Sequence, residues 1–167
     1  GNHIRQQTIE NADLEARCWE IRREQSILSH VFDGLPFPLY CIDQHFRLVS
    51  VNTYAAERSN SESHLLLGMR CYEALYQRAE PCPGCRAVES LTSGIMTFRT
   101  GRNWQVDGDP REWEISTYPL TDDHGKVVEA VVLEQDATEK NRLVESLART
   151  AKLAAVEQLA AGVAHEI

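Results

Sequence analysis

The chain has 167 residues, 43% of them hydrophobic, enough for one domain of ordinary size with a real core and some extensions. Its 25 acidic residues against 17 basic ones give a formal charge of −8, which argues against a general nucleic-acid binder and against an anionic membrane surface. No apolar run approaches the ~20 residues of a membrane span and no basic-then-apolar leader opens the chain; five cysteines are odd in number and too sparse for a secreted disulfide scaffold, so a cytoplasmic, reducing setting is expected, with a membrane anchor open elsewhere in a longer parent protein.

Residues 3–32 are polar and free of Gly and Pro, and predict a helix. Leu14, Ile21 and Leu28 repeat at sevens, with Ile4, Cys18 and Val31 near the same stripe. The stripe suits a two-helix seam, and equally a surface helix lying on its own domain; Cys18 reads as a packing residue. Asp33-Gly-Leu-Pro-Phe-Pro38 ends the helix. Leu39–Asp43 reads as a strand, Gln44-His45 as a tight turn, and Phe46–Val51 as a second strand. Asn52 is a good cap for a helix over 53–58. Short helical patterns follow around 71–75 and 86–92, the latter closed by Gly94. Three more strands are predicted at Ile95–Thr100, Glu112–Leu120 and Val127–Gln135, the last two joined through the turn-forming Asp122-Asp-His-Gly125. This order predicts an α+β fold with an antiparallel sheet rather than repeated βα units.

From Thr138 to Ile167 there is no Pro and one glycine, Gly162. Leu153, Val156, Ala160, Val163 and Ile167 form an a/d seam, and Leu143 and Leu147 begin a similar one. The step from Leu147 to Leu153 changes register, and marks the expected boundary between a signalling coiled coil and a dimerisation bundle. At the start of this helix Asp136 is placed to cap it, with Glu139 three residues on to reach back. His165 stands two residues from both Val163 and Ile167; two helical steps are about 200°, so it faces away from the seam.

Several of these pieces resemble one family. Leu35-Pro-Phe-Pro-Leu-Tyr-Cys-Ile-Asp43, Phe46-Arg-Leu-Val-Ser-Val-Asn52 and Ala55-Ala-Glu57 resemble the opening of a PAS domain, and Val131-Val-Leu-Glu-Gln-Asp-Ala-Thr-Glu139 resembles its Asp-x-Thr-Glu exit. The resemblance covers roughly 27–139 and implies a five-stranded antiparallel sheet with helices on one face and a small-molecule pocket of unknown ligand. Leu159-Ala-Ala-Gly-Val-Ala-His-Glu-Ile167 resembles the phosphoacceptor box of a sensor histidine kinase. That implies His165 as phosphoacceptor, its neutral imidazole nucleophilic near pH 7, and Glu166 as the group that accepts the ring proton or orients the ring. The implied division is an N-terminal helix (1–26), a PAS sensor domain (27–137), a transmitting helix (138–152) and the start of a dimerisation and phosphoacceptor domain (153–167). The implied function is the sensor of a two-component histidine kinase. ATP serves as cofactor only in a full-length protein that carries the catalytic domain, so this chain alone is expected to be inactive. The partners implied are a second copy and a response regulator, with no nucleic acid and no membrane contact within these residues. The alternative is a non-enzymatic PAS interaction module regulating another output.

Cys71, Cys82 and Cys85 form a second notable group, with Pro-Gly between the last two. Three readings stay open: a metal or iron–sulfur site with Cys41 or His64 as a further ligand, a redox-active dithiol, or buried packing residues in a structural turn. Similar Gly-x-x-Cys-Tyr and Pro-Cys-x-x-Cys stretches occur in many PAS domains of bacterial sensor kinases, as in Gly68–Tyr72 and Pro81–Cys85. The axial His of a haem-binding member is missing from 86–93, and so is the Asn-Cys-Arg type of motif of a flavin photosensor. His45 and His124 fall in turns and are expected to be solvated. Trp104, Trp113 and Tyr118 are read as pocket lining or core.

Overall fold

The computed structural model describes the backbone of residues 2–102 and 111–166, and side chains over 13–101 and 111–161. Trp104 lies outside the described residues. A long helix α1 (Asn2–Gly34) leads into β1 (Leu39–Asp43) and β2 (Leu48–Val51). Four short helices follow: α2 (Thr53–Arg58), α3 (Ser63–Leu66), α4 (Cys71–Ala74) and α5 (Ala87–Ser93). Then come β3 (Thr97–Arg102), β4 (Glu112–Thr121), β5 (Val127–Asp136) and a second long helix, α6 (Thr138–Glu166).

The five strands form one sheet in the order β2-β1-β5-β4-β3, and every neighbouring pair is antiparallel. The first and last strands therefore meet at its centre, Tyr40 opposite Val132. The expected α+β architecture is the one found. Alternation decides which face is covered: Tyr40 and Ile42 on β1, Trp113, Ile115 and Thr117 on β4, and Ala130, Val132 and Glu134 on β5 are all buried. Leu48, Ala55, Ala56, Leu66, Tyr72 and Leu91 complete this core.

Asn52 anchors the first half of the domain. It is fully buried, caps α2 by accepting from the Ala55 N–H at 3.0 Å, and accepts from the Leu39 N–H at 3.1 Å. Its amide donates to the carbonyls of Phe32 and Phe37. One side chain thus ties the end of α1 to β1 and α2, which its reading as a helix cap did not reveal.

Two strand boundaries differ from expectation. β2 starts at Leu48 rather than Phe46, because the Asp43 carboxylate accepts from the N–H groups of His45 and Arg47 and widens the turn. Phe46 takes φ +62° within that turn, and its ring meets Tyr72 edge-on. β3 runs over Thr97–Arg102 rather than 95–100; Ile95 and Met96 are exposed linkers after the Gly94 cap, which sits at φ +69°. Cys18, read as a packing residue, is exposed on α1. Among the described residues no helix is long and apolar enough to cross a membrane.

Candidate functional site

The interior holds a charged group that sequence reasoning missed. Glu134 is 2% exposed on β5 and faces the helices. Burying a carboxylate costs several kcal/mol unless partners compensate. Here the Tyr40 hydroxyl donates to Glu134 Oε1 at 2.8 Å, and Arg58 Nη2, from the last turn of α2, lies 2.9 Å from Oε2. The Arg58 contact is a charge pair by distance, without the alignment of a hydrogen bond. The guanidinium also lies over two rings, 5.3 Å from the Trp113 centroid and 5.7 Å from that of Tyr76. The Tyr76 hydroxyl stands 3.1 Å from that of Tyr40. Burial first, and then the Glu134 charge, push the Tyr40 phenol well above its ordinary value, so it stays a donor. Trp113 Nε1 is buried with no hydrogen-bond partner among the described residues. The signal for Glu134 was present in the phase of β5: it shares the inward phase of Ala130 and Val132.

Beside the two tyrosines lies a cavity of about 20 Å³, room for about one water. Cys71, Cys82, Cys85 and Arg99 line it together with Tyr40 and Tyr76, so the fold does bring the three predicted cysteines together. Cys82-Pro83-Gly84-Cys85 is a closed turn: the Cys85 N–H donates to the Cys82 carbonyl at 3.0 Å and Gly84 takes φ +65°. Proline second and a positive-φ glycine third are what a type II turn requires. Arg99 donates to the Pro83 carbonyl at 3.0 Å and reaches the Cys82 sulfur. Burial, reinforced by Cys85 and Cys82, pushes the Cys71 thiol up to about 12. Burial also raises Cys82, against the opposing pull of Arg99. Among the described residues, no group of three or more His, Cys, Asp or Glu is placed to hold a metal ion. Cys41, a suggested further ligand, alternates with the inward Tyr40 and Ile42 and so lies on the opposite face of the sheet. His64, the other, is exposed beside Glu62. His45 and His124 are exposed in turns; Trp113 is core, and Tyr118 is 41% exposed.

The sheet ends in a fastened joint. Asp136 acts one residue earlier than a cap: α6 begins at Thr138, and Asp136 Oδ1 accepts from both the amide and the hydroxyl of Thr138. Partial burial raises the Asp136 carboxyl, but these hydrogen bonds, with Arg111 and Arg142, outweigh it and hold it below its ordinary value. Glu139 is exposed, and the return bonds come from β4 instead. The Ala137 N–H donates to the Glu112 carbonyl at 2.7 Å, and the Glu112 N–H to Thr138 Oγ1 at 2.9 Å. Asn141 donates to the Glu112 carboxylate at 2.6 Å, and Lys140 lies 2.7 Å from that of Glu114. α6 then continues unbroken through Glu166, so His165 and Glu166 stand on the expected helix, while their side chains, and Ile167, lie outside the described residues. Leu143, Leu147, Leu153, Val156 and Leu159 are all more than half exposed in the single chain, as are Leu14, Ile21 and Leu28 on α1.

Comparison with known proteins places this geometry. The family model described as "PAS fold" matches residues 32–142. No curated protein matches the chain at a significant level. Among solved structures, an RNA-binding light-oxygen-voltage receptor is 20% identical with a TM-score of 0.59, over 77% of this chain and 38% of its own, so the chain spans well under half of that protein. The PAS domain of Bordetella pertussis BvgS is 18% identical at a TM-score of 0.54, over 78% of this chain and 97% of that one. A sensory box sensor histidine kinase from Vibrio cholerae is 16% identical at a TM-score of 0.50, over 72% and 97%. At such identities the likeness carries the fold and not the output.

Proposed function

The chain belongs to the PAS fold family, and from that premise we propose that it is the sensory domain of a two-component sensor histidine kinase, with α6 as its transmitting helix. The observation that carries this reading is the joint at Asp136–Asn141. The last strand does not end in a loose linker: four hydrogen bonds and ion pairs from Glu112 and Glu114 fasten the first turn of α6 to β4. A displacement of the sheet is therefore delivered to the helix rather than absorbed at its start. Apolar positions left exposed along α6 give the helix a seam for a second copy, and a dimer of such helices is the device that converts a tilt into a change of access at a side chain farther along.

In this reading His165 receives the phosphoryl group from ATP held by a catalytic domain in the longer protein, and passes it to an aspartate of a response regulator. Glu166 accepts the ring proton or orients the ring as the imidazole nitrogen attacks. The chain by itself supplies the acceptor and the sensor. The test is phosphorylation of the longer protein with labelled ATP, wild type against His165→Gln. Loss of acid-labile label in the variant is expected; undiminished label would remove the assignment. Glu166→Gln is expected to slow labelling without abolishing it, as a positioning role requires.

A further inference from the structure

We propose that Cys82 and Cys85 close reversibly into a disulfide, making their turn a thiol redox site of this domain. Four observations on the turn point the same way. First, its closure by the 3.0 Å hydrogen bond from Cys85 to Cys82 defines a β-turn, whose end Cα atoms lie within about 7 Å, overlapping the roughly 4.4–6.8 Å a disulfide needs. Second, the two sulfurs differ in access: Cys82 is 7% exposed, Cys85 is only partly buried, and Pro83 and Gly84 between them are exposed. Third, a Cβ built on Gly84 would meet nothing within 4 Å, so the outer side of the turn is open to an approaching small molecule. Fourth, Arg99 holds the turn by its Pro83 carbonyl and bears on the Cys82 sulfur, favouring the thiolate against burial. The third thiol of the cavity, Cys71, is as buried as Cys82 but stands on α4, outside the turn and without the Arg99 contact that opposes burial at Cys82, which leaves it a bystander.

The chemistry is thiol–disulfide exchange with a low-molecular-weight disulfide as oxidant. The Cys85 thiolate attacks one sulfur of that disulfide; a mixed disulfide forms and one small thiolate leaves and takes a proton. The Cys82 sulfur then attacks the Cys85 sulfur, the protein disulfide forms, and the second small thiol departs. Two protein thiols have been oxidised and one small disulfide reduced to two thiols. Excess dithiol reverses both steps. Cys82 and Cys85 line the same cavity as Tyr76 and as Tyr40, which meets Glu134, so closing the turn alters a wall of the interior network. The site itself is independent of the kinase reading, since its readout is a mass and not a phosphorylation.

The whole chain, reduced and freed of reductant, is incubated with oxidised glutathione, quenched in acid, alkylated and digested with trypsin. Cleavage after Arg70, Arg78 and Arg86 puts Cys71 in one peptide (71–78) and Cys82 with Cys85 in the next (79–86). The expected product is the second peptide lighter by two hydrogens, free of glutathione, and restored by dithiothreitol, while Cys71 stays alkylated. In Cys82→Ser the exchange is expected to stop with glutathione on Cys85. Alkylation of both Cys82 and Cys85 after treatment would overturn the proposal. So would glutathione persisting on Cys85 of the wild type, or a cross-link between the two peptides through Cys71. The wild-type measurement decides the matter even if a serine variant folds poorly.

Discussion

Removing one partner of the Glu134–Arg58 pair is expected to destabilise the domain strongly, and removing the second charge is expected to restore much of the loss. Arg58→Met keeps most of the apolar stem against Trp113 and Tyr76 but leaves a carboxylate that is 2% exposed with, among the described residues, only the Tyr40 hydroxyl as donor. With a contact of 2.9 Å between charged atoms, and charge centres about 4 Å apart, the attraction at an effective dielectric of about 20 is roughly 4 kcal/mol. Breaking a buried pair from one side costs about 3–5 kcal/mol, because the orphaned charge stays buried. For a domain of this size that lowers Tm by on the order of 15–30 °C. Glu134→Gln orphans Arg58 instead, whose side chain is 15% exposed against 2% for Glu134, and so is expected to cost less. Glu134→Gln placed on Arg58→Met removes the buried charge altogether and is expected to recover about 2 kcal/mol; the coupling in the double-mutant cycle is that recovery plus the cost of Glu134→Gln alone. Urea unfolding followed by circular dichroism, at one fixed protein concentration so that any self-association cancels, supplies the four free energies. If Arg58→Met costs under about 1 kcal/mol and the two changes add without coupling, the pair is not the buried charge compensation described.

Asn52→Ala is expected to lower stability by about 3 kcal/mol in the same assay, since it strands the buried donors and acceptors of four hydrogen bonds; a loss below about 1 kcal/mol would mean the surrounding backbone finds other partners. The folded-state pKa of Asp136 is lowered, so its contribution is present above the unfolded value of 3.8 and fades as pH falls through the lower folded value. Because the Asp136 side chain is 37% exposed, Asp136→Asn is expected to cost under about 1 kcal/mol at neutral pH. Its deficit should close below pH 3.8, and a deficit that persists there would refute the charge-based account. Cys71 works in the opposite sense: its folded value of about 12 exceeds the ordinary 9.0, so its contribution is full below pH 9 and is lost as pH rises from 9.0 towards 12. Between pH 9 and 10, before the Tyr40 phenol with its ordinary value of 10.0 contributes in the same direction, the wild type is expected to lose up to about 1 kcal/mol more than Cys71→Ala; parallel pH profiles would count against it.

The architecture was legible where one physical signal spoke alone. β4 alternates partly in sequence and β5 is a largely apolar run, yet the predicted limits of both match to within a residue, and in the fold their burial alternates because one face is covered and the other is not. β2 and β3 start later than apolar identity alone suggests: Phe46, Ile95 and Met96 are hydrophobic, but a carboxylate-capped turn and a left-handed glycine set the starts. Cys71, Cys82 and Cys85 were grouped by spacing, and the fold places all three on one cavity. Spacing cannot give the direction of a side chain, and Cys41 lies across the sheet from the cavity while His64 stands in solvent. Glu134 and Arg58 are separated by 76 positions, and no local pattern joins them; only the inward phase of Glu134 on β5 marked it as a charge in need of a partner. The exit motif in sequence points to Asp136 with Glu139, but the residues that fasten it come from β4, which lies outside the motif.

Glu112, Trp113 and Glu114 join the interior to the exit in three consecutive residues. Alternation along β4 turns Trp113 inward, where its ring lies under the Arg58 guanidinium, and turns its two neighbours outward, where they hold Asn141 and Lys140. A change in the interior that moves Trp113 therefore moves the anchors of α6 on either side of it. Each outward link is a partly solvated hydrogen bond or ion pair worth about 1 kcal/mol or less. Together they hold the first turn of the helix, yet none is strong enough to lock it in one orientation. Leaving one charge of the interior pair without its partner costs several times more, because the orphaned charge stays shielded from water. A rearrangement of the interior that leaves one of those charges without its partner therefore outweighs any single link at the joint, which is the order of strengths that the sensory reading proposed above requires.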